Sequence, residues 1–342
     1  MSVVSHLTES SEALVYKNGK RLALGAPTTA VSFIGQYAAF ALGDGAVAFV
    51  TPDGDKTVFA AHDGAILAAA AHPDGKRLVT GGDDGVLRAI APDGRLDTLA
   101  EFGGRWIDHV VTSAASGAIV AAVGKDAVVL SGDKEQHRFT YPSTLGGLAL
   151  GAKGRKLAVS HYGGAHLRYA LIENDPGTAF AWKGSHLAVT VSPEADYVFT
   201  SMQDNDLHGW RAADKFDLRM TGYTAKTRSF AWDRRGRWMA TSGANCAVIW
   251  PFQGKTGPLD KEPAMVGERA PLATRVAFHP REDILAIGYA DGEVLVARLG
   301  ETPTKLDEPG EGAVSALAWS ADGGLIAWAD EAGRGAVMRY SG

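Results

Sequence analysis

The chain has a single cysteine, Cys246, among 342 residues. One thiol excludes an internal disulfide framework and any metal site built from several cysteines. Long apolar runs are missing too: none approaches the ~20 residues that a membrane-spanning helix requires. The opening residues, Met1-Ser2-Val3-Val4-Ser5-His6, have neither the basic start nor the apolar stretch of a secretory leader. Basic charge is in short supply, with 34 Lys and Arg against 39 Asp and Glu and a net charge of -5. The densest basic run, Arg234-Arg235-Gly236-Arg237, fits inside one turn, which is too little to follow a phosphate backbone. Sequence motifs of catalysis are also lacking. There is no Gly-x-Ser-x-Gly and no Gly-x-x-x-x-Gly-Lys-Ser/Thr. The expectation is a cytoplasmic monomer with no nucleic-acid partner, no membrane contact and no cofactor.

Amphipathic helical periodicity is absent as well. What the chain has instead is glycine, 42 residues of it, with 46% hydrophobic and only 21% charged residues. Many tight turns between short apolar strands produce that balance. The segment from His72 to Ile90 shows the unit. His72-Pro73-Asp74-Gly75 is a turn, Lys76–Gly82 a strand, Asp83-Asp84-Gly85 a second turn and Val86–Ile90 a second strand. Pro presets φ, Asp caps the backbone and Gly takes positive φ, so both turns have a mechanism.

The unit recurs. Strands that follow such a turn end near 50, 90, 131, 170, 210, 250, 297 and 340, in steps of 40, 41, 39, 40, 40, 47 and 43. The longest step holds a polar loop, Gly254 to Pro263, rich in Pro and Gly. Apolar strands precede the first turn, as at Ile66–Ala71, His186–Val191, Arg228–Trp232, Arg275–Phe278 and Val314–Trp319. Others close the step, as at Thr57–Ala60, Arg95–Ala100, His137–Tyr141, Thr178–Trp182 and Phe216–Met220. Four short strands per ~40 residues is the content of one propeller blade. Residues 1–342 therefore read as one all-β domain, a single propeller of eight four-stranded blades, with seven blades as the alternative.

At this point the chain resembles the WD40-repeat family. Ala61-His62 matches the family's Gly-His, and His72-Pro73-Asp74-Gly75, Ser192-Pro193-Glu194 and His279-Pro280 match its first turn. Asp84-Gly85 and Asp291-Gly292 match the second turn, and Trp210 and Trp250 match the Trp of the closing Trp-Asp. The resemblance spans about residues 13–342, with no repeat carrying the whole His/Ser/Asp/Trp set and with 105–183 the most divergent stretch. It implies a propeller that binds proteins, which is analogy at the level of fold.

A ring of blades has free edges unless its ends meet. The last repeat supplies three strands before Gly342, and Asn18-Gly19 stands between Ala13–Tyr16 and Arg21–Leu24. Asn-Gly between apolar runs signals a hairpin, so an N-terminal hairpin or strand is expected to complete the C-terminal blade.

Three kinds of site are weighed. The Asp of the Asp-Gly turns (Asp44, Asp84, Asp204, Asp291) reads as a turn cap before it reads as a cation ligand. His62 reads as a core histidine and Cys246 as a buried small residue. Large aromatics, His and Arg on one propeller end suit protein recognition. The partner-binding candidates are Trp106, His109, His161, Tyr162, Trp182, His186, Gln203, Arg228, Arg275 and Tyr289. The leading expectation is a non-catalytic scaffold that binds a protein partner through one face. The first alternative is a small-molecule or transition-metal binding protein, with His109, His161, His166 and His186 as ligands. The second is an enzyme with its site at the channel mouth.

Overall fold

The computed structural model describes residues 13–254 and 256–341. The opening residues 1–6, and Lys255 of the Gly254-Lys255-Thr256 loop, lie outside the described residues.

One helical turn, α1 (Val15–Asn18), precedes an all-β architecture. The closing strand β1 (Gly19–Ala23) leads into the first sheet, β2 (Thr28–Ile34), β3 (Tyr37–Leu42), β4 (Ala46–Val50) and β5 (Lys56–Ala60). The second sheet is β6 (Ile66–Ala71), β7 (Leu78–Gly82), β8 (Val86–Ile90) and β9 (Leu96–Glu101). The third is β10 (Ile107–Ser113), β11 (Ala118–Val123), β12 (Asp126–Ser131) and β13 (Lys134–Thr140). The fourth has six strands: β14 (Leu145–Leu150), β15 (Lys156–Tyr169), β16 (Thr178–Val191), β17 (Tyr197–Met202), β18 (Leu207–Arg211) and β19 (Asp217–Met220). The fifth is β20 (Phe230–Trp232), β21 (Trp238–Thr241), β22 (Ala247–Pro251) and β23 (Ala264–Val266). The sixth is β24 (Ala273–Phe278), β25 (Ile284–Tyr289), β26 (Val294–Arg298) and β27 (Thr304–Asp307). The seventh is β28 (Val314–Trp319), β29 (Leu325–Asp330) and β30 (Arg334–Arg339), with β1 as its outer strand.

Counted by unbroken hydrogen bonding, the propeller thus has seven blades, the lower of the two numbers the repeat permits. Six are four-stranded and the fourth has six strands, so the expected eight separate four-stranded blades are corrected. The repeats that end near 170 and 210 share one sheet because β15 and β16 are each fourteen residues long. β15 pairs with β14 through residues 157–161 and with β16 through residues 162–167. Between these halves it doubles back at Gly163-Gly164, both at positive φ. The Ala170 amide meets the Arg155 carbonyl at 2.8 Å and closes that hairpin. The turn is so short that no loop separates the strands. The two repeats still pack as layers: Phe180 stacks on Trp210 at 5.5 Å, within a core that includes Ala165, Leu167 and Val198.

That turn makes a sharp test. A Cβ on Gly164 would lie 2.0 Å from the Phe180 carbonyl oxygen, whereas one on Gly163 meets nothing within 4 Å. Both substitutions strain the backbone, at a cost of about 1–3 kcal/mol each. Gly164→Ala adds the clash, so its denaturation midpoint should fall clearly below that of Gly163→Ala. Equal midpoints would contradict the packed turn.

The ring follows from packing. The first strands β2, β6, β10 and β14 touch in succession, as do β20, β24, β28 and then β2 again. The Trp232 indole donates to Thr190 Oγ1 at 3.0 Å and joins β20 to β16. Second strands such as β3, β7, β11 and β25 are buried almost throughout, because a neighbouring sheet covers each face. They read as continuous apolar runs for that reason.

Closure is by a strand and not by a hairpin. β1 pairs antiparallel with β30, from Gly19 opposite Met338 to Ala23 opposite Arg334. Val15–Asn18 is helical, and Gly19 has φ -128. A two-residue hairpin turn at Asn18-Gly19 needs positive φ, so the segment Ala13–Tyr16 is not the second strand that the sequence suggested. Arg21 of β1 is ion-paired with Asp307 of the neighbouring sheet. Ser315 Oγ donates to the Thr28 carbonyl at 2.6 Å across the same seam.

Candidate interaction face

The antiparallel order sorts the connections by end. Ile66, which opens β6, lies opposite Gly82, which closes β7. Turns between second and third strands therefore lie at the end where the chain enters each new sheet. The Asp-Gly turns are at this end, and they are capped as turns. Asp44, Asp84 and Asp291 each accept the amide two residues on, at 3.0 to 3.1 Å.

Beneath these turns lie short polar relays. His62 donates or accepts at Asp84 through Nδ1 (3.0 Å) and at Thr80 through Nε2 (2.8 Å). Burial pulls its pKa down in spite of Asp84, so His62 is the core histidine the sequence indicates. In a later repeat Tyr223 does the same job. Its hydroxyl is 2.7 Å from Thr241 Oγ1 and accepts the Trp250 indole at 2.8 Å. The spacing of Tyr223 to Thr241 equals that of His62 to Thr80, 18 residues. That equality was the available signal, and sequence reading for His alone missed it. His186 is also a relay: Nδ1 meets Thr200 Oγ1 at 2.7 Å and Nε2 the Trp182 carbonyl at 2.9 Å.

The candidate residues separate by exposure. Trp106 is 60% exposed, Tyr162 57% and Trp182 39%. Trp106 enters the third sheet, Tyr162 sits in the turn of β15, and Trp182 lies where β16 passes from one repeat to the next. All three stand at the entry end on successive repeats. Trp182 is held flat, stacked on the His208 ring at 4.0 Å and 21°. His208 is buried with both ring nitrogens lacking a hydrogen-bond partner. Burial holds its pKa down to about 4. Gln203 and Arg228 are exposed at the same end, and His109 is half-buried.

Three candidates are corrected. Tyr289 is fully buried and donates to the Gly267 carbonyl. It ends a second strand, where a sheet covers each face. His161 and His186 are buried and committed to internal hydrogen bonds. None of the three presents its side chain to solvent.

The four histidines of the metal alternative do not converge. His161 Nε2 and His166 Nδ1 are 2.9 Å apart, while His186 is engaged elsewhere. Among the described residues no three His, Cys, Asp or Glu side chains are placed to hold an ion. Burial, with the charges of His161 and Arg168, pushes the His166 pKa down to about 4. Cys246 is buried, its thiol pushed up by that burial and 3.8 Å from Met265 Sδ.

The channel wall is mixed. Val110, Leu148, Leu150, Val189 and Phe230 line it with Thr112, Thr190, Arg228 and Arg275, around a cavity of about 560 Å³. A second cavity, about 540 Å³, opens at the entry end between Asn205, Lys226, Thr274 and Glu331.

Comparison with known proteins follows this geometry. A family model described as WD domain, G-beta repeat, matches residues 55–89. Another, described as Anaphase-promoting complex subunit 4 WD40 domain, matches residues 276–341. No curated protein matches the chain in sequence. The crystal structure of the computationally designed Ika8 protein is similar over 92% of this chain and 96% of that one, with TM-score 0.74 and 15% identity. A chain of the mitotic checkpoint complex is similar over 81% of this chain and 87% of that one, with TM-score 0.64 and 14% identity. Identities this low bear on fold alone.

Proposed function

We propose that this chain, a member of the WD40-repeat β-propellers, is a non-catalytic scaffold that holds a protein partner on its entry face. One observation carries the reading: Trp106, Tyr162 and Trp182, three exposed large aromatics, stand on successive repeats at one end. Large aromatics dominate interface energetics because they bury much area at low entropic cost. Isolated exposed apolar residues are ordinary, but three large aromatics at one end, in neighbouring sectors on rigid supports, offer anchors for one partner. Propeller sheets fix those supports, so a partner binds without reorganising the ring. The similar chain found in the mitotic checkpoint complex is part of an assembly, the setting proposed for this one. The proposal includes a cytoplasmic monomer with no nucleic-acid partner, in keeping with the net charge of -5.

The test is affinity capture of the tagged full chain from its native cytosol, beside the triple variant W106A/Y162A/W182A. Trp106 and Tyr162 are mostly exposed, and Trp182 packs on His208, so the variant should fold, with its stability lowered by about 0.5–1.5 kcal/mol. Each truncation of an interface anchor costs ~2 kcal/mol or more. The triple variant should therefore lose a stoichiometric partner altogether. A partner retained by the triple variant would overturn the face. A partner-free eluate would overturn the scaffold reading.

A further inference from the structure

The entry cavity and the channel cavity share two residues, Arg228 and Arg275. Their guanidiniums lie where the channel opens onto the entry face. Arg275 comes from the first strand β24 and is held by neutral groups. Its Nε donates to the Ser315 carbonyl at 2.7 Å and its Nη1 to the Thr274 carbonyl at 3.0 Å. A guanidinium has five N–H donors, so donors remain beyond those two bonds. Arg228 is exposed, and its side chain makes no hydrogen bond or ion pair among the described residues. Arg77, Arg211, Arg219, Arg237 and Arg334 each form an ion pair with a carboxylate. This pair does not.

The two arginines act on each other: burial first, then the Arg228 charge, pulls the Arg275 pKa below its ordinary value. Lys226 lines the same cavity, and Glu331 is the carboxylate there. Three cations face one anion. Hydroxyls of Thr224, Ser242 and Thr274 and the amide of Asn205 complete the polar wall. Below the arginines the channel wall is mixed, with Val110, Leu148, Val189 and Phe230 beside Thr112 and Thr190. Glu331 offsets only part of this charge, clustered like charges are relieved by a further anion, and a planar guanidinium pairs best with a two-oxygen acceptor.

We propose that Arg228 and Arg275, with Lys226, form a binding site for a phosphate monoester, whose organic remainder extends into the channel. The ligand's dianion neutralises the cationic excess, and its apolar part meets the channel wall. The site stands apart from the aromatic patch and does not depend on it. A free phosphorylated small molecule and a phosphorylated side chain offer the same chemistry.

Calorimetric titration of the full chain tests this, with phenyl phosphate and a phosphoserine peptide as probes and chloride at matched ionic strength as control. Saturable binding of at least one probe is expected. Arg228→Gln, which breaks no contact within the fold, should weaken it tenfold or more, the effect of one lost charge-assisted pair. Arg228→Lys should recover only part of it, because an ammonium lacks the fork. Tighter binding of phenyl phosphate assigns the site to a small molecule, and tighter binding of the peptide to a modified partner; either supports it. Absence of binding by both probes, or unchanged affinity in a folded Arg228→Gln protein, would overturn the site. W106A/Y162A/W182A should bind the probes as the parent does, which keeps failure of this site separate from failure of the proposed face.

Discussion

A chain that starts at Leu24, without β1, is expected to lose most of its stability and to self-associate. Three effects add. The ladder between β1 and β30 disappears over five residues, which leaves β30 as an open edge. The Asp307 carboxylate, 6% exposed, loses Arg21 and retains the Trp328 indole and the Glu308 amide. Removing one partner of such a pair costs about 3–5 kcal/mol when both are buried. Arg21 is partly exposed, so Arg21→Ala alone should cost less, ~1–2 kcal/mol after screening. Third, the seam core loses Leu22, which packs with Phe40, Leu42, Ala327 and Val337. The sum for the truncation is about 5 kcal/mol or more, a large share of the 5–15 kcal/mol of a typical domain. Urea denaturation and light scattering report it. A truncated chain that stays monomeric with an unchanged midpoint would contradict closure by this strand.

The second large effect is with pH. His208 and His166 are held at about 4 in the fold, chiefly by burial, against about 6.5 in an unfolded chain. Between those values the unfolded chain binds more protons, so stability falls as pH falls. It is fully present above about pH 6.5, and the loss is complete below about pH 4. His208 is 1% exposed in its side chain and alone accounts for about 2 kcal/mol at pH 5. His166 is half-buried and adds less. Thermal melts should drop by about 3–6 °C between pH 7.5 and 5 from this cause. His208→Gln should flatten that slope, and a slope unchanged in the variant would show that other groups set it.

Much of the architecture is legible in the sequence because turn chemistry repeats. Third strands end at Val50, Ile90, Ser131, Arg211, Pro251, Arg298 and Arg339, in steps close to those of the turns that precede them. What escapes reading is geometric. Gly163-Gly164 turns β15 without a loop, so the sequence shows two repeats where hydrogen bonding joins one sheet. Asn18-Gly19 has the letters of a hairpin and the φ of an extended residue. Site residues are less legible than strands. Tyr162 and Tyr289 look alike as letters. One lies in a turn and is exposed, and the other ends a covered strand and is buried. Tyr223 hides because a phenol replaces an imidazole at the same spacing. Arg228 and Arg275 are both legible as entry-end residues, but their convergence at the channel mouth is a property of the closed ring.

The central claim is that the entry face holds the partner. Lysine acetylation footprinting of the captured complex tests it most directly. Lys125, Lys183 and Lys226 lie at the entry end, and Lys76, Lys134 and Lys215 at the opposite end. Protection of the first three with full labelling of the others is the predicted result. Protection of Lys76, Lys134 and Lys215 with Lys125, Lys183 and Lys226 still labelled would contradict it and place the partner on the other end of the propeller.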